Sequence, residues 1–161
     1  MAKLLHEKHE KILESIPDGS KVLLFDADGT IYRDSLFLDV FKEFVSMGLV
    51  DDADMATVET LRMKWKDREI DYDDFLLRTI DPYEKALSKI PGAEYAELCR
   101  KVAESRHKNT YRFPMKKAAE LRKLGFLTVI ISGSPQAAVE KFAEKAGFDY
   151  AMGTVEMYGD S

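Results

Sequence analysis

A parallel α/β sheet with helices on both faces and a helical bundle inserted into it is the fold class this sequence predicts, on three observations. Two runs of consecutive apolar residues, "VLLF" before Asp26 and "FLTVII" before Ser132, read as buried parallel strands because they do not alternate with polar residues. Segments of helical period flank both runs, which is the alternation that builds a parallel sheet. Between the runs, residues 35–112 carry helical periodicity and almost no strand pattern.

The elements follow in order. Residues 3–16 place Leu4, Leu5, Ile12, Leu13 and Ile16 among charges, an amphipathic helix that breaks at "PDGS". The first strand ends at Asp26 and is expected to be a central strand covered on both faces. In the bundle, Phe37, Val40, Phe41 and Phe44 lie at helical spacing, a stripe that reads as core, and Gly48 is placed to end that helix. Met55, Val58, Leu61 and Trp65 repeat the pattern, and "YDDFLLRTI" gives a shorter piece. Asp81, Pro82 and Glu84 have the order of cap, first turn and back-reaching acid, so a new helix is expected to start there. Residues 93–107 align Ala96, Cys99 and Val102. Pro114 then opens a helix that Gly125 closes, and "FLTVIIS" is the second strand. "SPQAAVEKFAEKAG" is a helix with Ser134 as cap and Pro135 next, and "FDYAMG" is a third short strand. The domains expected are an α/β core from residues 1–34 and 113–161, and a helical cap over 35–112.

Composition excludes several functions. A net charge of −5 argues against a nucleic-acid groove, which rewards clustered Lys and Arg. The single Cys99 forms no internal disulfide and suits a reducing compartment. No window approaches a membrane span, and the N-terminal helix is too charged for a signal peptide. A cytoplasmic location is therefore expected, with no nucleic-acid or membrane partner. His6 and His9 stand three apart with no third ligand in sight, so a solvated helix face is their reading.

The chemistry concentrates in "FDADGT". Residues i and i+2 of an extended segment project to one side, so Asp26 and Asp28 can face one pocket at the strand's carboxyl end, where open parallel sheets bind ligands. "VIISGSP" supplies a second such end, with Ser132 and the Gly133 and Ser134 amides leading to a helix N-terminus, a natural anion site. Gly29 lets the first loop turn, and Thr30 offers a hydroxyl donor that either joins the site or caps the loop. Two carboxylates facing an anion would repel it unless a divalent cation intervenes, and hard oxygen ligands hold Mg²⁺, which bridges to phosphate oxygens. That set suits phosphoryl transfer. Asp26 attacks phosphorus, and Asp28, protonated beside its anionic neighbours, donates to the leaving oxygen and later takes a proton from water.

These residues resemble the haloacid dehalogenase-like hydrolase superfamily, especially its phosphoserine-phosphatase-like branch, across Lys21 to Thr154. The resemblance implies a Rossmann-like core and a cap inserted after the first motif. It makes Asp26 the nucleophile, Asp28 the acid and base, Thr30 a loop stabiliser, and Thr30, Ser132 and Gly133 the phosphate-binding residues, with Mg²⁺ held by Asp26 and the Asp28 backbone carbonyl. The family's dehalogenases lack the second aspartate, so a phosphatase of a small phosphorylated metabolite is implied. Its phosphoserine phosphatases carry a glutamate where Ser35 stands here, and Arg33, Arg62 and Arg78 are candidates to grip a substrate carboxylate.

The family pattern also has a lysine and a later acidic motif. Lys141 and Lys145 lie too early for that lysine and read as a solvated helix face. Seven residues separate Gly153 from Ser161, too few for a parallel crossover of a dozen or more. A hairpin with Gly159 and Asp160 in its turn is expected, with Asp160 as a metal ligand the alternative. The chain thus reads as C-terminally incomplete, its sheet one or more strands short. Beside the metal-dependent phosphatase stand a phosphate-binding remnant or fragment without turnover, and a phosphotransferase using the same aspartyl phosphate.

Overall fold

The computed structural model describes residues 6–156, so the reading of Asp160 lies outside the described residues. The elements run α1 (Glu7–Glu14), β1 (Lys21–Asp26), α2 (Leu36–Ser46), α3 (Asp52–Lys66), α4 (Tyr72–Leu87), α5 (Gly92–Arg106), α6 (Arg112–Lys123), β2 (Phe126–Pro135), α7 (Gln136–Ala146) and β3 (Tyr150–Thr154). The strands form one parallel sheet in the order β1-β2-β3, as the α/β reading expects. The chain divides into two compact units, one built from residues up to Asp39 and from Ala96 onward, the other from Val40–Tyr95.

In the first unit, Asp26 pairs with Ile131 at the carboxyl ends of β1 and β2, which brings the two motif ends side by side. Helix α7 packs on β2 and β3 through Ala138, Val139, Phe142 and Ala143, all buried. Asp149 sets the approach of β3 to β2, its carboxylate accepting from the Thr128 amide and hydroxyl at 2.8 Å each. Gly153 is required by close approach: a Cβ there would stand 2.8 Å from both the Gln136 Cα and the Ser134 carbonyl oxygen.

The second unit packs aromatic rings. Trp65 and Phe75 stack with planes 8° apart, and the Tyr83 and Tyr95 hydroxyls share a 2.7 Å hydrogen bond. Asp51 and Asp71 cap α3 and α4, accepting from the Asp54 and Asp74 amides. Helix α2 ends as its spacing predicts, with Leu49 N–H bonded to the Phe44 carbonyl and Gly48 N–H to that of Val45.

Two expectations are corrected. β1 is an edge strand among the described residues, with Val22 36% and Leu24 65% exposed. Its consecutive apolar residues arise because both faces are apolar, whether or not both are covered. Pro82 does not start a helix but lies inside α4. Pro82 has no N–H to give the Arg78 carbonyl, the bond an interior proline removes, and Arg78 is an exposed residue. Burial of Phe75, Thr79, Pro82, Tyr83 and Ala86 on one face carries the helix through.

Candidate active site

Three donors converge on one backbone oxygen to shape the loop after β1. The fully buried Ala27 offers its carbonyl to the amides of Thr30, Ile31 and Tyr32 at 3.2, 2.9 and 2.8 Å. Gly29, at φ +77°, takes the left-handed conformation this reversal requires, and its N–H is shared between the Tyr32 and Asp34 carbonyls at 2.9 and 3.2 Å. The loop is held from behind by Tyr32, fully buried, whose hydroxyl donates a short hydrogen bond to the buried Asp39 carboxylate and whose ring meets Phe142 edge-on. Burial and that carboxylate push the Tyr32 phenol well above its ordinary range. Arg106 stands 3.7 Å from Asp39 and balances its charge.

The two aspartates occupy unlike surroundings. Asp26 is exposed at the strand end and accepts a 2.6 Å hydrogen bond from the Thr30 hydroxyl. Asp28 is half-buried, and each of its oxygens is engaged. Its Oδ2 accepts from the Ser132 hydroxyl at 2.6 Å and the Ser134 hydroxyl at 2.8 Å, and its Oδ1 accepts from the Leu36 amide at 2.7 Å. Burial raises the Asp28 carboxyl above the usual carboxylate range; the three donors oppose the rise without cancelling it, and the charge of Asp26 adds slightly to it.

The structure thus joins Asp26 with Thr30, and Asp28 with Ser132. Gly133 is exposed, its carbonyl accepting from the Thr154 hydroxyl at 2.8 Å, which ties β2 to β3 beside the site. The reading of Ser134 as the cap of α7 is corrected: that helix starts after Pro135 with no side-chain cap. Ser134, 1% exposed, instead bridges Asp28 and α2, accepting from the Phe37 amide at 2.8 Å while donating to the carboxylate. Together Asp28 and Ser134 satisfy two amides of the first turn of α2, groups with no partner inside a helix. Ser132 and Ser134 meet on Asp28 across an irregular stretch of β2, where the pairing with β3 shifts between Ile131 and Pro135 and the Ser134 N–H donates to the Ser132 hydroxyl at 2.9 Å. Nothing local marked Tyr32 and Asp39, whose pairing depends on the tertiary fold. His6 caps α1, and His9 bonds the Gln136 side chain at 3.1 Å, so neither faces the site.

The donor set available to a divalent cation is all oxygen: the exposed Asp26 carboxylate and the Asp28 carbonyl, which accepts no hydrogen bond from a described residue. No group of three or more His, Cys, Asp or Glu side chains among the described residues is arranged to hold a metal. A hard cation that keeps most of its water and takes one carboxylate plus phosphate oxygens fits that set, which is the habit of Mg²⁺.

A family model described as haloacid dehalogenase-like hydrolase matches residues 23–161. No curated protein sequence matches the chain. Among solved structures, a phosphoserine phosphohydrolase-like protein from Francisella tularensis subsp. tularensis SCHU S4 is similar at 14% identity and TM-score 0.54, covering 83% of this chain and 57% of its own. A substrate-bound phosphoserine phosphatase complex is similar at 17% identity and TM-score 0.52, covering 89% and 60%. Cytosolic 5'-nucleotidase IIIB bound to cytidine is similar at 16% identity and TM-score 0.50, covering 94% and 54%. The chain spans less than two thirds of each of these proteins, and the likeness is one of fold.

Proposed function

The chain belongs to the haloacid dehalogenase-like hydrolases, and on that premise we propose that it is a metal-dependent phosphatase of small phosphomonoesters working through an aspartyl phosphate on Asp26. The observation that carries this reading is the contrast between the two aspartates: Asp26 is exposed and takes one hydroxyl donor among the described residues, whereas Asp28 is half-buried and shifted toward its protonated form. Paired carboxyls in unlike surroundings divide naturally into nucleophile and acid.

In the first step an Asp26 oxygen forms a bond to phosphorus as the bond to the leaving oxygen breaks, and the proton on Asp28 passes to that oxygen. In the second, water attacks the acyl phosphate, Asp28 takes its proton, and Asp26 and inorganic phosphate are restored. Thr30, at 2.6 Å from Asp26, keeps the nucleophile in one rotamer. Ser132 and Ser134 orient Asp28, and a phosphoryl oxygen arriving at the strand ends would compete with Asp28 for the Ser132 hydroxyl, returning Asp28 toward its acid form. Asp26 and the Asp28 carbonyl would hold Mg²⁺, which supplies positive charge against the phosphate oxygens. We assign the helical segment 35–112 the task of choosing small substrates.

The test is hydrolysis of a panel of small phosphomonoesters, phosphoproteins and oligonucleotides, with and without Mg²⁺. Turnover of the small esters alone, lost on chelation and restored by Mg²⁺, is expected. Absence of turnover, or turnover untouched by chelation, contradicts the reading.

A further inference from the structure

Arg33 has no counterpart among the other arginines named as substrate ligands. Arg62 gives Glu59 two hydrogen bonds, of 2.9 and 2.7 Å, and Arg78 gives Asp74 one of 2.9 Å, so both are neutralised on their own helices. Arg33 is exposed and makes no ion pair with a described residue. It is nevertheless held in place. Its Nε donates to the Thr110 carbonyl at 2.9 Å, and its guanidinium carbon lies 5.2 Å from the centre of the Tyr111 ring. The backbone beneath is fixed by Arg33 N–H to the Asn109 carbonyl and Tyr111 N–H to that of Ile31, at 3.0 and 2.9 Å.

That position is against the catalytic loop. The carbonyls on either side of Arg33, those of Tyr32 and Asp34, both accept from the amide of Gly29, the residue between Asp28 and Thr30. The surroundings are positive although the chain as a whole carries −5: residues 106–117 contain five Lys and Arg and no Asp or Glu. Of these, Arg106 is committed to Asp39, and Lys116 and Lys117 to Glu120. Lys108 and Arg112, beside Thr110 and Tyr111, make no ion pair with a described residue.

We infer that Arg33 is a specificity residue that receives a second anionic group, a carboxylate or another phosphate, on the leaving part of the substrate. A guanidinium that spends Nε on a carbonyl and one face on a ring keeps its terminal N–H groups for a planar or tetrahedral anion, and its immobility removes the entropy otherwise lost on binding. The inference rests on the phosphatase reading for the word substrate, and its test is therefore made by binding.

Calorimetry with the full chain and Mg²⁺ compares 3-phosphonopropionate, ethane-1,2-diphosphonate and the neutral 3-phosphonopropionamide. One of the two doubly anionic probes binds about tenfold to a hundredfold more tightly than the amide, and which one does so distinguishes carboxylate from phosphate. Arg33→Gln removes that preference, Arg33→Lys keeps part of it, and Tyr111→Leu weakens it by loosening the guanidinium. A wild-type chain without the preference, or a preference that survives Arg33→Gln, overturns the inference. Phenyl phosphate hydrolysis by the wild type is measured alongside: preference without turnover sustains the role of Arg33 as an anion receptor and sinks the phosphatase reading alone.

Discussion

Removing the Ser134 hydroxyl should both loosen the start of α2 and change the proton affinity of Asp28. Ser134 is 1% exposed, and its hydroxyl accepts from the Phe37 amide and donates to Asp28, each at 2.8 Å. Losing an acceptor at a helix N-terminus destabilises by about 1 kcal/mol, and losing a hydrogen bond to a charged group by about 1.5–3 kcal/mol. Ser132 still donates to the same carboxylate oxygen at 2.6 Å and recovers part of the second loss. Ser134→Ala should therefore destabilise by about 2 kcal/mol, or about 4–8 °C in melting temperature for a chain of this size. Because the lost donor favoured the carboxylate, the Asp28 carboxyl rises further, and the basic limb of the pH–rate profile moves to higher pH. Ser134→Thr, which keeps the hydroxyl, should move the limb far less. Thermal melts by circular dichroism and initial rates across pH read both effects. A Ser134→Ala chain that melts within about 1 °C of wild type and keeps its basic limb in place would refute the bridge.

Asp28→Asn should slow the release of alkyl leaving groups more than of activated aryl ones, since a stable leaving oxygen needs no proton; equal losses count against the acid role. The same variant should gain stability at neutral pH. A carboxyl raised by burial binds its proton more tightly folded than unfolded, so its contribution is fully present below the ordinary aspartate value and declines as pH rises through the raised folded value. Melts of wild type and Asp28→Asn should converge in acid and separate toward neutral pH; constant separation would contradict the shift. Tyr32→Phe should destabilise by about 1–3 kcal/mol, because it strips the buried Asp39 of a donor, and urea titration checks it.

Much of the fold was legible because its two parts have different periods. Consecutive apolar runs ending in Asp26 and Ser132 gave strands in register, Asp26 opposite Ile131, and the helical stripes gave the segment between them. What failed to show depends on neighbours far along the chain. An apolar run cannot reveal whether a strand is central or at an edge, so Leu24 gave no warning of its exposure. The Asp81-Pro82 pair carries a start signal, yet packing of Phe75 and Tyr83 overrides it. Of the site, Asp26, Asp28, Thr30 and Ser132 were visible as a motif, whereas Ser134 was masked by the proline after it, which mimics a helix cap. Arg33 was indistinguishable from Arg62 and Arg78 until the ring of Tyr111 and the carboxylates of Glu59 and Asp74 were placed around them.

Asp26 is expected to become phosphorylated during turnover. Quenching the reaction of the full chain with a small phosphomonoester and Mg²⁺, then reducing with borohydride, converts an aspartyl phosphate to homoserine, which peptide mass spectrometry locates. Homoserine is expected at position 26 in the wild type, strengthened in Asp28→Asn when hydrolysis of the acyl phosphate lags its formation, and absent in Asp26→Asn, which should also lose turnover. Turnover retained in Asp26→Asn, or an acyl phosphate found at another residue, would contradict this expectation.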